Sequence, residues 1–72
     1  MEKSTEIEGV IVEFHQVGNA VKVSAVDTET FLEVSIMAPV HCTEKEMTDT
    51  VLRKLAYVRE KRDGRNGPPA KP

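Results

Sequence analysis

Residues 10–26 read VIVEFHQVGNAVKVSAV, and the fold turns on how this stretch doubles back on itself. Val10, Val12 and Phe14 alternate with Ile11, Glu13 and His15, the period of two that a strand imposes on its side chains. Gly18-Asn19 separates this run from a second β-branched run that starts at Ala20. Glycine at the first central position of a two-residue turn supplies the positive φ that a tight hairpin needs. With that turn, Val17 faces Ala20, Gln16 faces Val21, Phe14 faces Val23 and Val12 faces Ala25, so both strands put apolar groups on one face.

Downstream, Asp27-Thr28-Glu29-Thr30 makes a polar turn whose leading carboxylate suits local backbone amides. A third strand is then expected to begin at Phe31, with Ala25 against Leu32, Val23 against Val34 and Val21 against Ile36. Pro39 has no N–H for a ladder and disfavours helix at Ala38, so it closes that strand. Thr43-Glu44-Lys45-Glu46 fits a capping box, in which the Thr43 hydroxyl and the Glu46 side chain each satisfy the other residue's amide. From there Met47, Val51, Leu55 and Val58, widened by Leu52, form one helical stripe. Acidic groups crowd the start of this helix and basic groups its end, as the helix dipole favours, and Gly64 is its expected stop.

The expected architecture is α+β: a three-stranded antiparallel β-meander (βββα) with one C-terminal amphipathic helix packed on one face. The domain is placed at residues 7–62. Residues 1–6, polar and unpatterned, and residues 63–72, DGRNGPPAKP, are expected to be disordered. The core is expected to hold Val10, Val12, Phe14, Val21, Val23, Ala25, Leu32, Val34, Ile36, Met47, Val51, Leu52, Leu55 and Val58.

At 72 residues the chain supports one small core, which 39% hydrophobic residues with two Phe, one Tyr and no Trp make aliphatic. A net charge of -2 gives no global attraction to nucleic acid or to an anionic membrane. Cys42 is the only cysteine, so no intramolecular disulfide forms and a reducing, cytoplasmic setting is expected. The start, MEKSTEIEGVIV, lacks the basic and apolar regions of an export signal. No apolar run approaches the roughly 20 residues of a membrane helix, so a membrane is not an expected partner.

Two surfaces invite a functional reading. With the helix on one face, the expected register gathers Ile11, Val26 and Phe31 on the other, and Val17, Ala20 and Met37 at its opposite end. Ile11, Val26, Phe31 and Met37 are therefore the candidate contact face for a homodimer or another protein. A scattered apolar solvent face is the plain alternative. On the helix, Tyr57 lies off the apolar stripe among Arg53, Lys54 and Lys61. Residues 51–72 carry seven basic and two acidic groups, against three and ten before them. A ring set among cations can stack on a base while its neighbours hold phosphates, so Arg53, Lys54, Tyr57 and Lys61 form the alternative, nucleic-acid face. Complementing the helix terminus explains the same charges without any ligand.

Nothing points to catalysis. His41-Cys42 precedes the helix, where amides could activate a thiol, but Cys42 also suits packing on Met47 beside the cap. His15, His41 and Cys42 lack the paired spacing of a metal site. No phosphate loop or nucleophile elbow occurs, and no cofactor is implied.

The segment GNAVKVSAVDTETFLEVSIMAP (residues 18–39), followed by LRKL (residues 52–55), resembles a family of small bacterial proteins, mostly alphaproteobacterial, known as a domain of unknown function. The likeness covers roughly residues 8–60, rests on turns and a strand-closing proline, and implies the architecture without an activity. The strand-strand-strand-helix order is also similar to the second half of double-stranded-RNA-binding domains. Those domains start the final helix with lysines, whereas this helix starts acidic.

Overall fold

The structure, a computed structural model, describes residues 2–63. Four antiparallel strands, β1 (Glu2–Ile7), β2 (Val10–Val17), β3 (Ala20–Asp27) and β4 (Glu33–Pro39), lie in the order β1-β2-β3-β4, followed by one helix, α1 (Glu44–Asp63). The expected α+β class holds, but the sheet has four strands where three were expected.

The additional strand is the polar start of the chain, expected to be disordered. Every β1 residue before Ile7 is exposed, so no alternation of apolar and polar groups marks it. Its pairing comes instead from the Glu8-Gly9 turn, with φ of 49° and 83°, the backbone of a tight two-residue hairpin. That turn sets Ile7 opposite Val10, Thr5 opposite Val12 and Lys3 opposite Phe14. Two side-chain contacts fasten the strand: Glu2 Oε2 lies 2.7 Å from His15 Nδ1, and Lys3 Nζ pairs with Glu44 Oε1 at 2.8 Å. A charged edge strand of this kind also discourages pairing with other chains.

The Gly18-Asn19 hairpin has the expected register throughout, Val17↔Ala20 to Val12↔Ala25, and Gly18 takes φ +62°. Between β3 and β4 the register differs from expectation by two residues: Ala25 pairs with Val34, Val23 with Ile36 and Val21 with Ala38. Loop chemistry accounts for the slip. Asp27 N donates to Leu32 O at 2.9 Å and Phe31 N donates to Asp27 O at 2.7 Å, which closes a loop of residues 28–31 with Phe31 left-handed at φ +62°. Phe31 therefore belongs to the loop and β4 starts at Glu33. A slip of two keeps every side chain on its face, so Val21, Val23 and Ala25 still point inward.

The core contains Val10, Val12, Phe14, Val21, Val23, Ala25, Val34, Ala38, Met47, Val51 and Leu55. Ala38 replaces Ile36 as a buried member of β4 beside Val34, while Ile36, Leu32, Leu52 and Val58 are only partly covered. The capping box forms as expected: Glu46 N donates to Thr43 Oγ1 at 3.1 Å and Thr43 N donates to Glu46 Oε1 at 3.0 Å. Of the tail expected to be disordered, residues 63–72, Asp63 is the last residue of α1, while residues 64–72 and the expected stop at Gly64 lie outside the described residues. No helix among the described residues is long and apolar enough to cross a membrane.

Candidate functional site

The hydrogen-bond pattern of the meander decides which backbone groups remain open. In an antiparallel pair, directly opposed residues alternate between bonded and non-bonded pairs. The Asp27–Leu32 bond fixes the phase, so Val34, Ile36 and Ala38 bond inward to β3. Glu33, Ser35 and Met37 accordingly turn their N–H and C=O groups away from the sheet, along its free edge. Lys54 agrees with this phase: its Nζ donates to the outward Ser35 carbonyl at 2.8 Å.

Beside this edge lies an open groove of about 670 Å³, lined by Met37, Ala38, Pro39, Met47 and the ends of Glu46 and Thr50, among others. It exists because α1 crosses the sheet over β3 and β4, leaving a trough between its first turns and the last residues of β4. Helical spacing aligns Glu46, Thr50 and Lys54 along the side of α1 that flanks the edge. Around the end of the groove, on the uncovered sheet face, Val17, Ala20 and Pro39 fall in one cross-strand row, with Met37 opposite Lys22 in the next. Val17, Met37 and Val40 are 51%, 60% and 46% exposed, so three of the molecule's large exposed apolar side chains meet at this end. Val40 is drawn there by its own amide, which donates to Asn19 O at 3.3 Å.

The candidate contact residues are thus divided. Ile11 and Val26 stand directly opposite each other and half-buried, but the slipped register sets Glu33, not Phe31, beside Val26. Phe31, 79% exposed, sits in the loop, and Met37 lies at the other end of β4. The smaller cluster of the sequence reading, Val17, Ala20 and Met37, is the one that gains neighbours, from Pro39, Val40 and the groove.

The basic stripe is partly engaged. Lys54 covers Ser35 O, and Lys61 Nζ lies 5.6 Å from the centre of the Tyr57 ring. Arg53 and Tyr57 are exposed. Cys42 is half-buried against the core beside the cap, and His41 lines the groove. A second, polar depression of about 330 Å³ runs along the start of β1, lined by Glu2, Lys3, Ser4, Glu13, Phe14 and His15. Among the described residues no group of three or more His, Cys, Asp or Glu is placed to hold a metal ion.

One polar centre escaped the sequence reading. Asp27 continues the inward parity of β3 and is buried. Its Oδ2 meets Arg59 Nη2 at 2.8 Å, and its Oδ1 accepts from the Glu29 and Thr30 amides at 2.8 and 3.3 Å. The Glu29 amide, seconded by the Thr30 amide and Arg59, holds the Asp27 carboxyl below its ordinary range against the opposing effect of burial. The signal that could have found it is a carboxylate at an inward position of β3 together with a cation, Arg59, next to Val58 of the apolar stripe.

A family model described as a domain of unknown function (DUF6898) matches residues 7–62. No curated protein and no solved structure matches the chain.

Proposed function

The chain belongs to the domain-of-unknown-function family DUF6898, whose match spans 56 of the 72 residues, from 7 to 62, and from that premise we propose that it is a non-catalytic protein-contact module. Its contact surface is the end of the sheet where Val17, Met37 and Val40 surround the groove beside β4. The observation that carries this reading is the convergence of those exposed apolar side chains with an open strand edge. Exposed apolar groups gathered around a concavity mark contact surfaces, whereas single exposed ones do not. The partner is a second copy or another protein, and the setting is the bacterial cytoplasm.

A photo-crosslinking residue placed at Met37 in the full chain, with the same residue at Glu29 as control, tests the proposal in the native cell. Protein adducts from position 37 and none from position 29 are expected; equal yields from both positions, or none, would contradict it. The alternative, nucleic acid held by Arg53, Lys54, Tyr57 and Lys61, has less support. A net charge of -2 supplies no global attraction to a polyanion, and basic groups at a helix C-terminus complement its dipole without a ligand.

A further inference from the structure

We propose that the open edge of β4 takes up an extended segment of another protein as a fifth strand, and that Lys54 selects for an acidic residue in that segment. The inference rests on the protein-contact reading above and names its partner's chemistry.

Glu33, Ser35 and Met37 offer a ladder of outward N–H and C=O groups. Main-chain pairing with such an edge supplies affinity, and pockets for alternate side chains supply selectivity. The groove provides the first pocket: a side chain entering between β4 and α1 near Ala38 and Met47 meets apolar walls. Lys54 provides the second. From Ser35 to Ala38 is about 10 Å along the strand, and from Met47 to Lys54 is about 10 Å along the helix. Both pockets lie on the helix side of the sheet, so the side chains that fill them share one face of an added strand and stand an even number of residues apart, the spacings nearest about 10 Å being two or four residues.

Lys54 now occupies the Ser35 carbonyl, an acceptor that an added strand needs. A carboxylate on the incoming segment is a stronger partner for an ammonium than a neutral carbonyl is. Transfer of Nζ from the Ser35 oxygen to that carboxylate frees the carbonyl for the segment's N–H. Chains without the acidic residue must displace Lys54 with no compensation. Lys61, farther along α1, extends the positive field beyond Lys54, whereas Glu46 stands at the groove end of the same flank, so the acidic residue is directed to the Lys54 end.

The same lysine disfavours a second copy as the occupant. A twofold pairing of β4 with β4 centred on Ser35 would bring two Lys54 side chains to the axis, where like charges repel. The other edge of the sheet, β1, is exposed and charged and has no comparable apolar trough.

The test is selection of a random linear peptide library on the full chain, followed by amide chemical-shift mapping of an enriched synthetic peptide. The expected sequences carry an apolar residue and an Asp or Glu separated by an even number of positions, and they shift the Ser35 and Met37 amides. Lys54→Glu, an exposed change, should weaken the enriched peptide by about tenfold or more and favour its Glu-to-Lys counterpart. Lys54→Gln, which keeps the stem without the charge, should weaken it less. Failure to enrich any peptide, enrichment of basic sequences, binding indifferent to Lys54→Glu, or shifts confined to β1 would each overturn the proposal. So would sedimentation showing a dimer whose interface protects the Ser35 amide, or RNA competing for the same amides. If adducts at Met37 persist while the peptides fail, the edge inference falls alone; if the adducts fail too, the protein-contact reading falls with it.

Discussion

Asp27 ties three parts of the molecule together, because one carboxylate oxygen caps the 28–31 loop and the other holds Arg59 on the helix. Its folded-state pKa lies below the ordinary value of 3.8, so the native state binds fewer protons than the unfolded chain between those two pKa values. The stabilisation is fully present above about pH 4 and is lost as pH falls through the folded pKa. Urea midpoints measured from neutral pH to below pH 4 should therefore fall more in the wild type than in Asp27→Asn. Equal slopes would show that the carboxylate is not linked to folding. Phe31 points the other way. A left-handed φ costs a bulky residue about 1–2 kcal/mol, and an exposed ring recovers little of it. Phe31→Asn, which tolerates that conformation, should raise stability by up to about 1 kcal/mol, and a loss of stability would mean that the ring makes a contact that matters. Thr43→Ala removes one arm of the capping box and should cost about 1 kcal/mol in the same denaturation assay.

Among the elements, legibility followed burial. β2, β3 and α1 each carry a periodic apolar face, so Phe14, Val23 and Leu55 announced both the element and its orientation. β1 carries no such face: only Ile7, at its end, packs against the core, and a hydrophobic pattern cannot reveal a strand that contributes backbone over the rest of its length. The remaining signal was Glu8-Gly9, a plausible two-residue turn with a β run on only its far side. Parity survived in β4 while register did not, because the loop's last residue takes a left-handed conformation that its sequence, Phe, does not advertise. The contact surface was half visible for the same reason. Met37 was placed on the open face by parity alone, but Val40 and the groove depend on where the chain goes after Pro39. Removing residues 1–6 should leave a folded β2-β3-β4-α1 body at a cost of about 2 kcal/mol, since cross-strand pairs contribute about 0.2–1 kcal/mol each. Far-ultraviolet circular dichroism with urea titration checks this; outright unfolding would show that β1 is integral to the core.

At the scale of the whole molecule, one aliphatic core is shared between a four-stranded meander and a single helix. Its largest fully buried side chains are Phe14 and Leu55, with four valines. Such a core tolerates little loss: Leu55→Ala removes a central contact and should cost about 2–5 kcal/mol, enough to unfold a marginal domain. The same economy leaves one sheet face and the β4 edge uncovered, and a partner bound there, as proposed, would add stability by mass action. Fold, edge and proposed contact all depend on the phase of pairing between β3 and β4. Amide hydrogen exchange on the isolated chain reads that phase residue by residue. Slow exchange at Val34, Ile36 and Ala38 alternating with fast exchange at Ser35 and Met37 is the predicted pattern. Equal protection at Ser35 and Val34, or the alternation reversed, would contradict both the register and the open edge.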